Sequence, residues 1–192
     1  AGVVVDHLTA AATQGWTRRP LVVDLCTGSG AIALAVATEV PCADVVAVEL
    51  SEHALAWAGR NRDMHCPRVE LRHGDATDPA TCADVAGRVD VVVSNPPYIP
   101  PDAVPVDPEV RDHDPEIALY GRGHDGLDVP RKVIDVAAGL LRPGGLFVME
   151  HAEVQSQALV RHLTQAGRWG DVQAGTDHAG RPRFVSATLL DS

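Results

Sequence analysis

The stretch Leu21-Val22-Val23-Asp24-Leu25-Cys26-Thr27-Gly28-Ser29-Gly30 decides the fold predicted for this chain. Its first half is a short apolar run, which predicts a buried strand, and its second half is a glycine-containing turn. Residues 31–39 are rich in Ala, Leu and Val and predict a helix. Glycines at a strand-to-helix turn let the backbone approach a ligand closely, and the start of a helix presents free N–H groups. The stretch therefore predicts an α/β domain with a ligand-binding loop after its first strand.

Strands and helices continue to alternate along the rest of the chain. Apolar runs predict further strands at residues 44–50, 69–71, 89–93 and 146–150. Helices are predicted at residues 51–62, 129–141 and 154–166, with a weak helix after Pro79. Residues 169–174 and 183–189 indicate a closing antiparallel pair. Because the connections are short, we expect a doubly wound, mostly parallel seven-stranded sheet with a C-terminal antiparallel hairpin, in one domain over residues 1–192.

Composition and charge favour a cytoplasmic protein that neither associates with a membrane nor binds a metal. The 192 residues contain no apolar stretch near the ~20 residues that span a bilayer, and the first residues lack a signal-peptide pattern. A formal net charge of −10 argues against a nucleic-acid ligand. No Cys-x-x-Cys pair occurs, and the histidines lack metal-ligand spacing. We therefore expect reduced thiols at Cys26, Cys42, Cys66 and Cys82.

Acidic residues follow the second and third predicted strands. Glu49 ends one strand nineteen residues after Gly30, and Asp75 follows the next. A carboxylate at the position of Glu49 can bind both hydroxyls of a ribose. Taken alone, Gly28-x-Gly30-x-x-Ala33 with this acid also matches a dinucleotide-binding fingerprint. All of these positions line the carboxyl edge of the predicted sheet, where we expect a nucleoside-containing ligand.

Asn95-Pro96-Pro97-Tyr98 directly follows the predicted strand 89–93. The two prolines fix φ and cannot donate backbone hydrogen bonds, so the turn is stiff. The side chain of Asn95 offers an acceptor beside the backbone carbonyl of Pro96. Two acceptors that converge on one NH2 group can hold a planar amide or amidine nitrogen for chemistry.

Residues 94–125 show no periodicity and contain seven of the fourteen prolines. A loop of this length inside a compact domain is usually functional. Its acidic residues are Asp102, Asp107, Glu109, Asp112, Asp114 and Glu116. Such a charge run is more often a solvated loop than a docking surface. If it docks a partner, a basic protein loop suits it better than a phosphate backbone.

Taken together, Asp24-x-x-x-Gly28-x-Gly30, Glu49, Asp75 and the Asn95-Pro96-Pro97-Tyr98 turn resemble the Rossmann-like class I S-adenosylmethionine-dependent methyltransferases. The Pro-Pro-Tyr form is typical of the branch that methylates planar nitrogens. The chain further resembles the release-factor glutamine methyltransferases at residues 116–121, at Asp125-Gly126-Leu127-Asp128 and at Leu141-x-Pro143-Gly144-Gly145. This resemblance covers nearly the whole chain. It implies methylation of the glutamine amide in the Gly-Gly-Gln motif of class I peptide chain release factors.

The resemblance also implies roles for individual residues. The loop around the methionine part of S-adenosylmethionine would be formed by Cys26, Thr27, Gly28, Ser29 and Gly30. Glu49 would hold the ribose, and the adenine would be flanked by Asp75 and Ala76. Asn95 would contact both cofactor and substrate, and the glutamine would be positioned by Pro96, Pro97 and Tyr98. We take Asn95, Pro96 and Tyr98 as the catalytic residues, without a general base, because the proton can leave after the transfer.

Two features depart from the family pattern. Cys26 stands where the family usually has glycine, and we expect it to be tolerated. Such enzymes usually carry an N-terminal helical domain for substrate recognition, joined by an Arg-Pro-x-Thr-Glu segment. This chain starts at Ala1-Gly2-Val3, inside what would be the helix after that segment. We therefore expect a catalytic domain without its N-terminal substrate-recognition domain.

Three alternatives use parts of the same pattern. An adenine N6-methyltransferase acting on DNA or RNA would also hold a planar NH2 group, but the acidic loop and net charge count against phosphate contacts. A nicotinamide-dependent oxidoreductase fits the glycine loop but leaves the 95–98 turn unexplained. The third is a cofactor-binding module that transfers nothing.

Overall fold

The computed structural model describes residues 1–13, 18–103 and 115–191. Within these ranges, seven strands form one sheet in the order β3-β2-β1-β4-β5-β7-β6. The strands, numbered in chain order, are β1 Leu21–Leu25, β2 Asp44–Glu49, β3 Glu70–His73, β4 Val89–Ser94, β5 Leu141–Glu150, β6 Trp169–Thr176 and β7 Pro182–Leu189. β1 to β5 pair in parallel, whereas β7 runs antiparallel to both β5 and β6. The predicted fold class and its antiparallel hairpin are confirmed.

The α-helices of the described residues are α1 Gly2–Thr13, α2 Ala31–Glu39, α3 Glu52–His65, α4 Glu116–Leu119, α5 Asp128–Leu140 and α6 Ser156–Gln165. None of them is long and apolar enough to span a bilayer. The Ser51 hydroxyl caps α3 by accepting from the Ala54 N–H at 3.3 Å. The helix expected after Pro79 is a 3-10 helix over Pro79–Val85, and its kink lies at Cys82.

The β5 strand begins earlier than the sequence predicts. The predicted helix 129–141 ends at Leu140, close to its expected end, but β5 begins at the next residue, so Pro143-Gly144-Gly145 lies inside Leu141–Glu150. The register against β4 shifts there, because Val89 lies opposite Leu141 and Val91 lies opposite Leu146. The glycine-containing stretch is therefore an irregularity within the strand, as glycines in strands often are.

Both faces of the sheet are buried at its central strands. In β5, Phe147 and Met149 belong to one apolar cluster, and Leu146 and Val148 belong to the other. This alternation follows from the two-residue period of a strand. α5 and α6 contribute buried residues to the first cluster, and α1 and α2 contribute to the second. A parallel sheet covered on both sides is the arrangement that alternating strands and helices produce.

The ends of the long segment 94–125 are tied together. Ile99 forms a parallel bridge with Tyr120, and the Ile99 N–H donates to the Leu119 carbonyl at 2.8 Å. α4 lies just before this bridge. The expectation of a loop throughout residues 94–125 is therefore wrong at Glu116–Leu119, which forms α4. Of the acidic loop, Asp102 and Glu116 are exposed, and the other four acidic residues lie outside the described ranges.

A buried carboxylate closes the amino-terminal edge of the sheet. The Asp90 side chain is 0% exposed and accepts from Arg142 Nε at 2.6 Å and from Arg18 Nη1 at 2.8 Å. The Leu21 N–H donates to the same carboxylate at 2.9 Å. Burial raises the pKa of Asp90, but the hydrogen bonds from Arg18, Arg142 and the Leu21 N–H outweigh it and hold the pKa below its usual range. Asp90 is therefore ionised and ties β4 to the start of β1.

We expect Asp90→Ala to lower the free energy of unfolding by about 3 kcal/mol, because two arginines lose a buried partner. In a domain of this size the melting temperature then falls by roughly 6–12 °C, measured by circular dichroism. Since folding lowers the Asp90 pKa, its contribution is present above about pH 4 and is lost as the pH falls through the lowered value.

Asp44→Ala is the matched control for this prediction. Asp44 pairs with Arg19, and both side chains are more than half exposed. Water solvates both ions whether or not the chain is folded, so this change should be much smaller. Equal losses in the two variants would contradict the account.

Candidate active site

The register of the three central strands brings their carboxyl ends to one level. Leu25 lies opposite Ser94 of β4 on one side and opposite Val48 of β2 on the other. The next residue on each strand is Cys26, Asn95 or Glu49, and each is a predicted site residue. The strand order reverses between β1 and β4, which makes this edge the topological switch point where ligands bind in open α/β sheets.

The loop after β1 contains three residues in the left-handed region, Cys26 at φ 62°, Gly28 at φ 59° and Gly30 at φ 87°. Its shape is held by backbone bonds, since the Thr27 N–H donates to the Val48 carbonyl at 2.9 Å and the Gly30 N–H to the Thr27 carbonyl at 2.9 Å. A Cβ placed on Gly28 would meet nothing within 4 Å. The loop therefore has open space beside its backbone, as the expected contact with a ligand requires.

Cys26 occupies a backbone conformation that favours glycine. A residue with a Cβ in this region costs roughly 1–2 kcal/mol. Burial raises the pKa of its thiol to about 12, and the negative charge of Glu49 acts in the same direction. The thiol is therefore protonated near neutral pH and is a poor nucleophile. The side chain departs from the family pattern without adding a reactive group.

Asp24 anchors the loop from inside the protein. Its carboxylate is fully buried, and Oδ2 accepts from Thr27 Oγ1 at 2.6 Å and from the Ala33 N–H at 3.1 Å. Oδ1 has no hydrogen-bond partner among the described residues. Burial raises the pKa of Asp24 to about 7, although the hydrogen bond from Thr27 opposes that change. Asp24 thus connects the loop to the first turn of α2.

Glu49 fixes the neighbouring side of the loop. Its Oε2 accepts from the Gly28 N–H at 2.8 Å, and its Oε1 accepts from the Ser51 N–H at 2.8 Å. Each carboxylate oxygen has a second lone pair, so both can still accept from a hydroxyl. Besides the predicted ribose contact, Glu49 has a structural role that the sequence did not indicate.

Asp75 and Ala76 lie on the turn after β3, beside Glu49. The turn is held to β2 because the Gly74 N–H donates to the Glu49 carbonyl at 3.0 Å. Asp75 is exposed, and its Oδ1 accepts from Thr77 N at 2.8 Å and from Thr77 Oγ1 at 2.7 Å. Ala76 is buried. The structure therefore brings both residues to the same edge as Glu49, while their contact with an adenine stays a prediction.

The Asn95–Tyr98 turn leaves β4 next to the loop. Asn95 is exposed, Pro96 is buried, and Tyr98 is half-buried. Burial raises the pKa of the Tyr98 phenol, and the charge of Glu150 raises it further, whereas Arg183 opposes the change. The phenol is therefore neutral at physiological pH. That Asn95 and Pro96 together hold one NH2 group stays a prediction.

Two side-chain amides from other parts of the chain support the site, and sequence analysis missed both. Asn61 of α3 donates from Nδ2 to the Ser29 carbonyl at 2.9 Å. Gln155 donates from Nε2 to the Tyr98 carbonyl at 2.7 Å. Neither residue belongs to a motif, because its partner is a backbone group distant in the sequence. Among residues 1–13, 18–103 and 115–191, no cluster of His, Cys, Asp or Glu could hold a metal ion.

Comparisons with known proteins bear on the family and the fold of this chain. Residues 3–107 match the family model of the methyltransferase small domain. The fold is similar to that of a solved structure, a putative rRNA methylase from Clostridium thermocellum, with a TM-score of 0.66 and 16% identity. That alignment covers 98% of this chain and 96% of the other. At this identity the likeness shows the fold alone.

Sequence relatives narrow the family. A release factor glutamine methyltransferase from Streptomyces coelicolor is 53% identical, over 97% of this chain and 68% of that protein. A 4-amino-L-phenylalanine/4-methylamino-L-phenylalanine methyltransferase from Streptomyces pristinaespiralis is 41% identical, over 86% of this chain and 54% of that protein. The chain spans 59–68% of the length of the release factor glutamine methyltransferases that it matches. The predicted resemblance is confirmed: the chain belongs to the release factor glutamine methyltransferase family.

Proposed function

We propose that this chain transfers a methyl group from S-adenosylmethionine to the side-chain amide nitrogen of the glutamine in the Gly-Gly-Gln motif of class I peptide chain release factors. The proposal rests mainly on the pairing of Leu25 with Ser94 at the ends of β1 and β4. Because of this pairing, the glycine loop and the Asn95–Tyr98 turn begin side by side on adjacent strands. A cofactor held by the loop and an amide held by the turn would then be neighbours. Family membership supports the choice of acceptor.

The described residues fit S-adenosylmethionine. Open space beside Gly28 leaves room for the methionine part along residues 26–30. Glu49 would hold the ribose hydroxyls with its remaining lone pairs, and Asp75 and Ala76 would flank the adenine. When bound, S-adenosylmethionine supplies an electrophilic methyl group on a positively charged sulfonium.

Asn95 and Pro96 would prepare the acceptor. An amide nitrogen is a poor nucleophile, because its lone pair is delocalised into the carbonyl. Hydrogen bonds from the NH2 group to the Asn95 side-chain oxygen and the Pro96 carbonyl would fix its direction. Orientation of this kind supplies roughly 7–11 kcal/mol in the best intramolecular reactions. The same acceptors would stabilise the positive charge that develops on nitrogen.

Tyr98 and Cys26 suit this chemistry because both stay uncharged. Tyr98 is half-buried with a raised pKa, so its ring can pack on a flat amide without bringing a charge. The Cys26 thiol, with a pKa of about 12, stays protonated and does not compete for the methyl group. No base is required before transfer, because the nitrogen can lose its proton afterwards.

Mass spectrometry after incubation with S-adenosylmethionine tests the function. The acceptors are an intact release factor, a Gly-Gly-Gln peptide, 4-amino-L-phenylalanine and an adenine-containing oligonucleotide. We expect one added methyl group on the glutamine of the Gly-Gly-Gln peptide. We expect the same product on the intact release factor if residues 1–192 suffice to recognise it. Methylation confined to the aromatic amine or to the oligonucleotide would contradict the proposal.

Asn95→Ala should separate transfer from cofactor binding. We expect single-turnover methyl transfer to the peptide to fall on the order of 100-fold, the scale for losing one group that stabilises developing charge. The cofactor Kd, measured by calorimetry, should change much less. Asn61→Ala is the contrasting variant, because Asn61 supports the Ser29 carbonyl and should weaken cofactor binding instead. An Asn95→Ala enzyme with unchanged transfer would rule out this role.

Glu49→Gln should weaken cofactor binding. The substitution leaves one oxygen for the two backbone N–H groups that Glu49 now serves, and it removes acceptors for the ribose. A hydrogen bond to a charged group contributes about 1.5–3 kcal/mol, so losing the one to the ribose should raise the cofactor Kd roughly 10- to 150-fold. The control is Glu52→Gln, an exposed position in the first turn of α3. Equal Kd values for the two variants would show that Glu49 does not hold the cofactor.

A further inference from the structure

Gln155 joins three segments at the carboxyl edge of the sheet. It ends the 3-10 helix Glu153–Gln155 that follows β5, and it is only 5% exposed. Its Nε2 donates to the Tyr98 carbonyl at 2.7 Å and to the Asp125 carbonyl at 2.8 Å. Its Oε1 accepts from the Ala152 N–H at 3.1 Å. One buried carboxamide therefore connects the Asn95–Tyr98 turn, the turn at Asp125 and the exit of β5.

These partners require an amide at position 155. Both hydrogens of the NH2 group point to carbonyl oxygens, and the oxygen faces an N–H group. A flipped amide would put its oxygen against two carbonyls and its NH2 group against a donor. A carboxylate would face the same two carbonyls without a proton to donate. The requirement is thus for hydrogen bonding and not only for volume.

The Asp125 end of this connection is itself fixed. The Asp125 side chain accepts from the Leu127 N–H at 3.1 Å and pairs with Arg131 Nη2 at 2.5 Å. Because Leu127 is buried at the start of α5, the turn is anchored to the core. Gln155 therefore links the Tyr98 carbonyl to a rigid support.

The same support packs directly on the Asn95–Tyr98 turn. A Cβ on Gly121 would lie 2.8 Å from the Pro97 carbonyl oxygen and would clash with the Gly126 carbonyl. A Cβ on Gly126 would clash with the Tyr98 carbonyl and lie 2.7 Å from the Pro100 nitrogen. Backbone meets backbone here because both positions lack a side chain.

We propose that Gln155 is a positioning residue for methyl transfer, which holds the Asn95–Tyr98 turn against residues 121–126 so that the turn keeps one geometry. Pro96 and Pro97 have no N–H group, so neither residue can fix the turn by donating a backbone hydrogen bond. The Tyr98 carbonyl, at the end of the turn, is held by Gln155. A displacement of about 1 Å in such a turn can lower a rate 100-fold. This role rests on the proposed function.

Gln155→Met tests the inference because methionine keeps the length and volume of the side chain but cannot form the three hydrogen bonds. We expect kcat for the Gly-Gly-Gln peptide to fall about 10- to 100-fold. Gln155→Glu should lose at least as much, since its carboxylate faces two carbonyls. The cofactor Kd should stay within about threefold, because the residue contacts neither the loop 26–30 nor Glu49 in any hydrogen bond described above. Gln157→Met, an exposed position two residues away, should match the wild type.

Hydrogen exchange measured by mass spectrometry gives a readout that does not depend on the acceptor. The Ile99 N–H donates to the Leu119 carbonyl, and the Gly121 N–H donates to the Ile99 carbonyl. Both hydrogen bonds join the residue after the Asn95–Tyr98 turn to residues 119–121. Peptides that contain these amides should exchange faster in Gln155→Met and unchanged in Gln157→Met, whereas peptides from β1 and α2 should stay protected in both.

The two readouts distinguish failure of this inference from failure of the proposed function. Wild-type protein that leaves the peptide unmethylated, with faster exchange in Gln155→Met, would refute the proposed acceptor while the tie from Gln155 to the turn stands. Normal kcat in Gln155→Met with active wild-type enzyme would overturn the positioning role. Unchanged exchange at Ile99 and Gly121 would overturn it as well. Loss of protection throughout Gln155→Met would show a folding role instead and also overturn it.

Discussion

Ser94 lies opposite Leu25 where β4 pairs with β1, and its buried hydroxyl donates to the Leu25 carbonyl at 2.7 Å. The two strands end together at this point, and each continues into one half of the candidate site. A shift of one residue in that register would separate Cys26 from Asn95 and would also turn every side chain of the strand to the other face of the sheet. Because both faces of these strands are buried, the apolar core enforces the register, and the core thereby sets the distance between the loop after β1 and the Asn95–Tyr98 turn.

Around that pairing, polar side chains at the sheet edge form hydrogen bonds with the backbone of the candidate site. Asp24 and Glu49 both accept hydrogen bonds from the loop after β1, Asp24 from inside the protein and Glu49 from the neighbouring strand. Gln155 in turn donates to the Tyr98 carbonyl and so supports the Asn95–Tyr98 turn. The two halves of the site are therefore supported separately, which explains why we expect variants on one side to affect cofactor binding and variants on the other to affect transfer. Burial raises the pKa values of Cys26 and Tyr98, so neither side chain brings a charge to the candidate site.

The sequence predicted the fold well because strands in a sheet buried on both faces are apolar runs, and the positions of β1, β2 and β4 follow from them. The end of α5 was predicted, but the early start of β5 was not, because glycines such as those of Pro143-Gly144-Gly145 are typical of turns, whereas here they form an irregular stretch inside the strand. The motif residues at the strand ends could also be predicted, because their spacing follows the chain. Asn61 and Gln155 could not, because the carbonyls they bind are brought to them only by folding. The left-handed φ of Cys26 is also a property of the folded loop. The glycine that the family usually has at this position is consistent with such a φ.

The most direct test of the central claim, that the turn after β4 presents a planar NH2 group to the cofactor, is a comparison of two acceptor peptides. Cofactor carrying an isotopically labelled methyl group would be mixed with excess enzyme and either a Gly-Gly-Gln peptide or the same peptide ending in Gly-Gly-Glu. We expect label on the glutamine nitrogen and none on the glutamate peptide, which lacks the NH2 group. Label on both peptides at similar rates, or on the glutamate peptide alone, would contradict it.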